Sequence, residues 1–96
     1  MRKAALHPDE ASLIALKALA YIAQDDDRLS RFLALTGVEA DYVPSAASSP
    51  EFQAAVLEYL MTDETTLVAF CVTEEIEADA PGQALRLLAG PTAEYG

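Results

Sequence analysis

The chain has 96 residues, a formal net charge of −10 and 52% hydrophobic residues. That length suits one domain, and that apolar fraction excludes a disordered tail. One cysteine excludes an internal disulfide, and the excess acid repels phosphate backbones, which argues against direct nucleic-acid binding.

The charge is unevenly spread. Residues 1–31 balance Arg2, Lys3, Lys17, Arg28 and Arg31 against Asp9, Glu10, Asp25, Asp26 and Asp27. From Phe32 to Leu85 there is no Lys or Arg, so the net charge belongs to the middle of the chain. Such a field favours a basic partner, although it also simply keeps a small apolar domain in solution. Met1-Arg2-Lys3 resembles the start of a signal peptide, but His7, Pro8, Asp9 and Glu10 stand where an apolar stretch is required. The longest apolar run, Leu13 to Ala23, is interrupted by Lys17 and is too short to span a bilayer. A cytoplasmic protein without a membrane segment is the expectation.

A first helix is predicted from about Pro8 to Gln24, with Pro8 in its first turn and Asp9 and Glu10 complementing the dipole. It is apolar almost all round: Leu13, Leu16 and Ala20 on one side, Ala15, Leu19 and Ile22 on another. Such a helix is central to a bundle or shared with another subunit. The stretch "DDDRLSRFLALTG" predicts a second helix. Asp25, Asp26 or Asp27 caps it, and the other two acids occupy its first turn. Leu29, Phe32, Leu33 and Thr36 form its buried stripe, Asp27 pairs with Arg31 four residues on, and Gly37 ends it. Between Val38 and Ser48 a short helical turn is interrupted by Pro44.

Ser49 and Pro50 open a third main helix, with the stripe Phe52, Ala55, Val56, Tyr59 and Leu60. Thr62 or Asp63 caps the next segment. "TTLVAFCVT" carries the β-branched residues of a strand but the helical spacing of Leu67, Phe70 and Cys71. With no partner strand to satisfy its backbone, helix is the reading. Glu74, Glu75 and Glu77 oppose the dipole at its end, so an early stop is expected. Asp79 and Pro81 open a last helix with Leu85, Leu87 and Leu88, ended by Gly90-Pro91. The prediction is an all-α domain over residues 1–96: a compact bundle of four to five short helices with antiparallel neighbours, and residues 91–96 as a flexible tail.

Little here carries chemistry. Cys71 and His7 supply a nucleophile and a base, but nothing places them together, and Cys71 lies on an apolar helical stripe. The acids at residues 25–27 lack the glycine turn and downstream Glu of a calcium loop. Asp63 and Glu64 would meet them, and offer a magnesium site, only where two helix starts converge; solvated helix N-termini explain the same residues more simply. There is no phosphate-binding glycine loop and no nucleophile elbow. No catalytic residue, cofactor or metal is assigned. Asp25, Asp26, Asp27, Asp63, Glu64 and Cys71 are the candidate interaction or reactive positions. The aromatics Tyr21, Phe32, Tyr42, Phe52, Tyr59 and Phe70 read as core; if they do not all fit inside so small a bundle, one or two tyrosines would line an exposed groove suited to a partner helix.

The order of "ALKALAYIAQDDDRLSRFLALTGV", "SPEFQAAVLEYLMTDETTLVAFC" and "ALRLLAGP" resembles a family of short bacterial proteins, domain of unknown function family 3572. The resemblance covers about Ala15 to Gly90. It is sharpest at Arg31-Phe32-Leu33, Thr36-Gly37, Pro50-Glu51-Phe52, Leu60 to Glu64, and Phe70-Cys71. "AGPTAEYG" fits it loosely. The resemblance implies a small all-helical cytoplasmic protein and no particular activity; its recurring Phe-Cys draws attention to Cys71.

The leading functional expectation is a protein–protein interaction module or adaptor, binding a protein or itself through an apolar patch rimmed by carboxylates. A thiol-dependent enzyme or redox sensor using Cys71 is a second reading. An acidic decoy that imitates nucleic acid towards a basic protein is a third, and requires the carboxylates of residues 39–79 to form one regular row.

Overall fold

The computed structural model describes residues 6–89, and all regular structure among them is helical. Six α-helices follow one another: α1 (Pro8–Ala23), α2 (Asp26–Thr36), α3 (Val43–Ala46), α4 (Pro50–Met61), α5 (Glu64–Glu74) and α6 (Ala80–Ala89), with one 3-10 turn (Ala40–Tyr42) leading into α3. The fold class agrees with the sequence, but the predicted four to five helices become six. The addition is α3. Pro44 does not interrupt the turn at residue 43; it lies in the first turn of α3, where a missing N–H costs nothing. The predicted stop at Gly90-Pro91 and the tail at 91–96 lie outside the described residues.

Local chemistry sets the helix ends. Asp25 caps α2, its carboxylate accepting from the backbone N–H of Asp27 and of Arg28. Gly37 ends α2 in the left-handed conformation at φ 76°, its N–H donating to the Leu33 carbonyl. Ser49 caps α4 through the Phe52 N–H, and Asp63 caps α5 through the Thr66 N–H. The ambiguous segment from Thr65 to Thr73 is helix throughout. It does not stop early: α5 continues to Glu74, and Glu75 closes it at φ 57°. The Ile76 N–H donates to the Cys71 carbonyl at 2.9 Å and the Glu75 N–H reaches Val72, a Schellman closure that satisfies the final carbonyls.

The heaviest packing joins α1, α4 and α6, which are not successive in the chain. The face of α1 that enters it is Ala11, Ile14, Ala15, Ala18 and Ile22, so three fully or nearly fully buried alanines let the neighbouring helices come close. Phe32, Phe70, Leu57, Leu60 and Val56 fill the rest of the core. Phe32 meets the rings of Phe52 and Tyr59 at centroid distances of 5.5 and 5.4 Å, and Tyr21 meets Phe70 edge-on at 5.6 Å. The core face of α6 is Ala80, Pro81 and Ala84, with Leu85 and Leu88 half-buried; Leu87, expected inside, is exposed.

Among the described residues two polar side chains are buried, Thr66 beside the α5 cap and Gln53 between helices. Gln53 is 4% exposed, accepts from the Ser12 hydroxyl at 3.0 Å and donates to the Ala47 carbonyl at 2.7 Å. It thereby ties α1 and the α3–α4 connection to α4, with both ends of its amide satisfied.

Candidate functional site

The side of α1 opposite its alanine face is uncovered. Leu13 is 53% exposed and Leu16 is 40% exposed, and Ala20 and Ala23 continue the same strip. Positions 13, 16, 20 and 23 step by three and four, so they form one apolar line along the helix. Beyond Leu16 that line drops into a groove of about 390 Å³. Leu29 and Leu33 of α2 form its second wall, and Ala40, Val43 and Pro44 form its third. No polar side chain lines it. Of its residues, the periodicity assigned Leu29 and Leu33 to a buried stripe; both are only half-buried, and both line this groove. The connecting turn supplies the third wall, which is why Pro44 matters to the site.

The other side of α2 also leaves space. A groove of about 400 Å³ against α4 is lined by Phe32, Leu35, Thr36, Ala55, Glu58, Tyr59 and Thr62. Tyr59, read as core, is half-buried and lines this groove, and Tyr42, also read as core, is instead 64% exposed. A smaller pocket of about 200 Å³ is lined by Arg28 and Arg31 together with Tyr59, Thr62, Asp63 and Thr66. The predicted Asp27–Arg31 pair does not form among the described residues. The nearest carboxylate contact of α2's arginines runs from Arg28 to Asp25 at 3.7 Å, and Arg28 also lies 6.0 Å from the centre of the Tyr21 ring.

The sequence-derived candidates are dispersed by role. Asp25 and Asp63 are helix caps. The Thr66 hydroxyl donates to Asp63 at 2.8 Å, and with the Thr66 N–H it holds the Asp63 carboxyl below the usual range, helped by the charge of Arg28. Asp26, Asp27 and Glu64 are exposed in first turns. The two helix starts do come within electrostatic reach of one another through Arg28, whose guanidinium lies 3.7 Å from Asp25 and whose charge acts on Asp63. Among the described residues no three His, Cys, Asp or Glu side chains are grouped to hold a metal. Cys71 is 5% exposed; burial pushes its thiol pKa up, and its Sγ lies 3.8 Å from the Glu77 carbonyl. His7 is exposed, and its backbone N–H donates to Glu10 at the start of α1.

Sequence reasoning missed Gln53 and the groove's third wall. Gln53 was legible, since it shares the face of Val56, Leu57 and Leu60 at helical spacing. The wall formed by Ala40, Val43 and Pro44 left no such signal, because it depends on how a short connection folds back over α1 and α2.

No described helix is long and apolar enough to cross a membrane. No curated protein and no solved structure matches the chain. A family model does: residues 8–91 match the one described as Protein of unknown function (DUF3572), and the chain belongs to that family.

Proposed function

We propose that this protein is a small protein-binding module whose contact surface is the exposed apolar side of α1. The observation that carries the reading is the exposure of Leu13 and Leu16 at the mouth of a groove with no polar lining. Apolar side chains of that size, contiguous and rimmed by acids, are a feature that binding surfaces use and isolated surface leucines do not. Asp26, Asp27 and Glu64 steer a partner rather than bind a metal, while Asp25 and Asp63 hold helix ends. The module acts in the cytoplasm, touches neither membrane nor nucleic acid, and carries no catalysis of its own.

The thiol reading has less support. A nucleophilic cysteine needs access and a depressed pKa. Cys71 is buried, its pKa is raised, and its backbone carbonyl closes α5. A decoy reading is also weaker, since its acids belong to separate helix ends: Glu51 starts α4, Glu64 starts α5, and Glu74 and Glu75 finish it.

The test is affinity capture from host lysate by the wild type and by the double variant Leu13→Glu/Leu16→Glu, each with its thermal unfolding midpoint measured. A near-stoichiometric protein held by the wild type and lost from an equally stable variant is the expected result. A partner retained by the variant, or a strictly monomeric wild type that captures nothing, contradicts the reading.

A further inference from the structure

The groove between α1, α2 and α3 identifies its occupant by charge. Exposed acids neighbour its lining residues in the chain: Asp26 lies one turn before Leu29 on α2, and Glu39 and Asp41 flank Ala40. Among the described residues bases are nearly absent there. Lys17, half-buried beside Leu16, is the nearest one in sequence. The two arginines of α2 line the pocket against α4 and α5 instead. An apolar floor with an acidic rim complements an amphipathic helix that carries leucine-like residues on one face and lysine or arginine beside them. The length also fits. From Leu16 to Ala23 the floor spans about 10 Å, or two helical turns, enough for anchors at i, i+3 or i+4, and i+7.

Deepening the interaction reading above, on which it rests, we propose that this groove binds a basic amphipathic helix of another protein. A second copy of the chain does not fit the description. Its described helices carry no basic stripe: α1 has Lys17, α6 has Arg86, and α2 offsets Arg28 and Arg31 with Asp26 and Asp27. Two copies would also bring together surfaces of a chain with net charge −10.

The probe is a labelled leucine–lysine peptide of about 14 residues with its leucines at helical spacing, long enough to become helical once bound. Its control has the same composition in an order that forms no apolar face. Fluorescence anisotropy measures both against the wild type, Ala20→Gln, and Asp26→Asn/Glu39→Gln/Asp41→Asn. Ala20→Gln places a neutral bulk in the groove without altering charge, and circular dichroism confirms its fold. The amphipathic peptide binds the wild type and the scrambled one does not. Ala20→Gln weakens binding by at least about tenfold, the loss expected when one apolar anchor is shut out. The triple charge variant weakens it by about tenfold at low salt and little at high salt, as three exposed ion pairs should. Equal binding of the scrambled peptide, or an unchanged affinity for Ala20→Gln, overturns the proposal. So does a wild-type dimer that Ala20→Gln dissociates, since the occupant is then a second copy. If the peptide fails while Leu13→Glu/Leu16→Glu still loses a captured partner, the interaction reading stands and the basic helix falls.

Discussion

Glu75 adopts φ 57°, a conformation that glycine accepts without strain and other L-residues do not. It occupies the position after α5 where glycine is usual, and it places a negative charge at the negative end of the helix dipole. Glu75→Gly should therefore stabilise the protein by about 0.5–1 kcal/mol, the strain relieved being partly offset by a freer unfolded chain. Chemical denaturation checks this; Glu75→Ala, which keeps the strain, should not show the gain. The sequence signalled trouble at this helix end through three glutamates. It did not signal the outcome, because the last turn is closed by backbone hydrogen bonds from Glu75 and Ile76 that need a left-handed Glu75, while Cys71 and Ile76 pack in the core. Cys71 is accounted for in the same way: its position is fixed by burial and by the helix end it helps to close.

The helices themselves were largely legible, because their ends rest on local chemistry. Asp25, Ser49 and Asp63 cap with their own side chains, and Gly37 supplies a left-handed stop. The α3 segment was less legible: four residues hold too little periodicity, and Pro44 reads equally as a breaker or a first-turn residue. Asp63 makes the cap of α5 pH-dependent. Its pKa is lowered in the folded state, chiefly by the Thr66 hydroxyl and then by the Thr66 N–H. A lowered folded pKa means that the ionised cap contributes stability above the unfolded pKa, and that this contribution is lost as pH falls through the folded value. The stability difference between the wild type and Asp63→Ala should thus be full at neutral pH and shrink as pH drops below about 4. Thermal unfolding over that range tests the assignment. A difference that stays constant, or grows on acidification, would show that the cap acts without its charge.

Packing over the whole molecule decides which apolar residues are core and which are surface, and here sequence patterning reached its limit. The first helix reads as apolar on all sides, which correctly signals more apolar surface than the bundle covers. Periodicity alone gives no preference between its faces. The preference comes from size: α4 and α6 approach the side carrying Ala11, Ala15 and Ala18, which leaves Leu13 and Leu16 outside. The acidic candidates were found by composition and their approach at two helix starts was considered; the part left out was Arg28, which acts on the caps of both α2 and α5. The uncovered side of α1 and its groove are the proposed binding surface. The most direct measurement is an amide chemical-shift map of the labelled protein titrated with the leucine–lysine peptide. Shifts concentrated at Leu16, Ala20, Leu33 and Val43 are the predicted result. Shifts centred instead on the Arg28 and Arg31 pocket, on the α2–α4 groove or around Cys71 would contradict it.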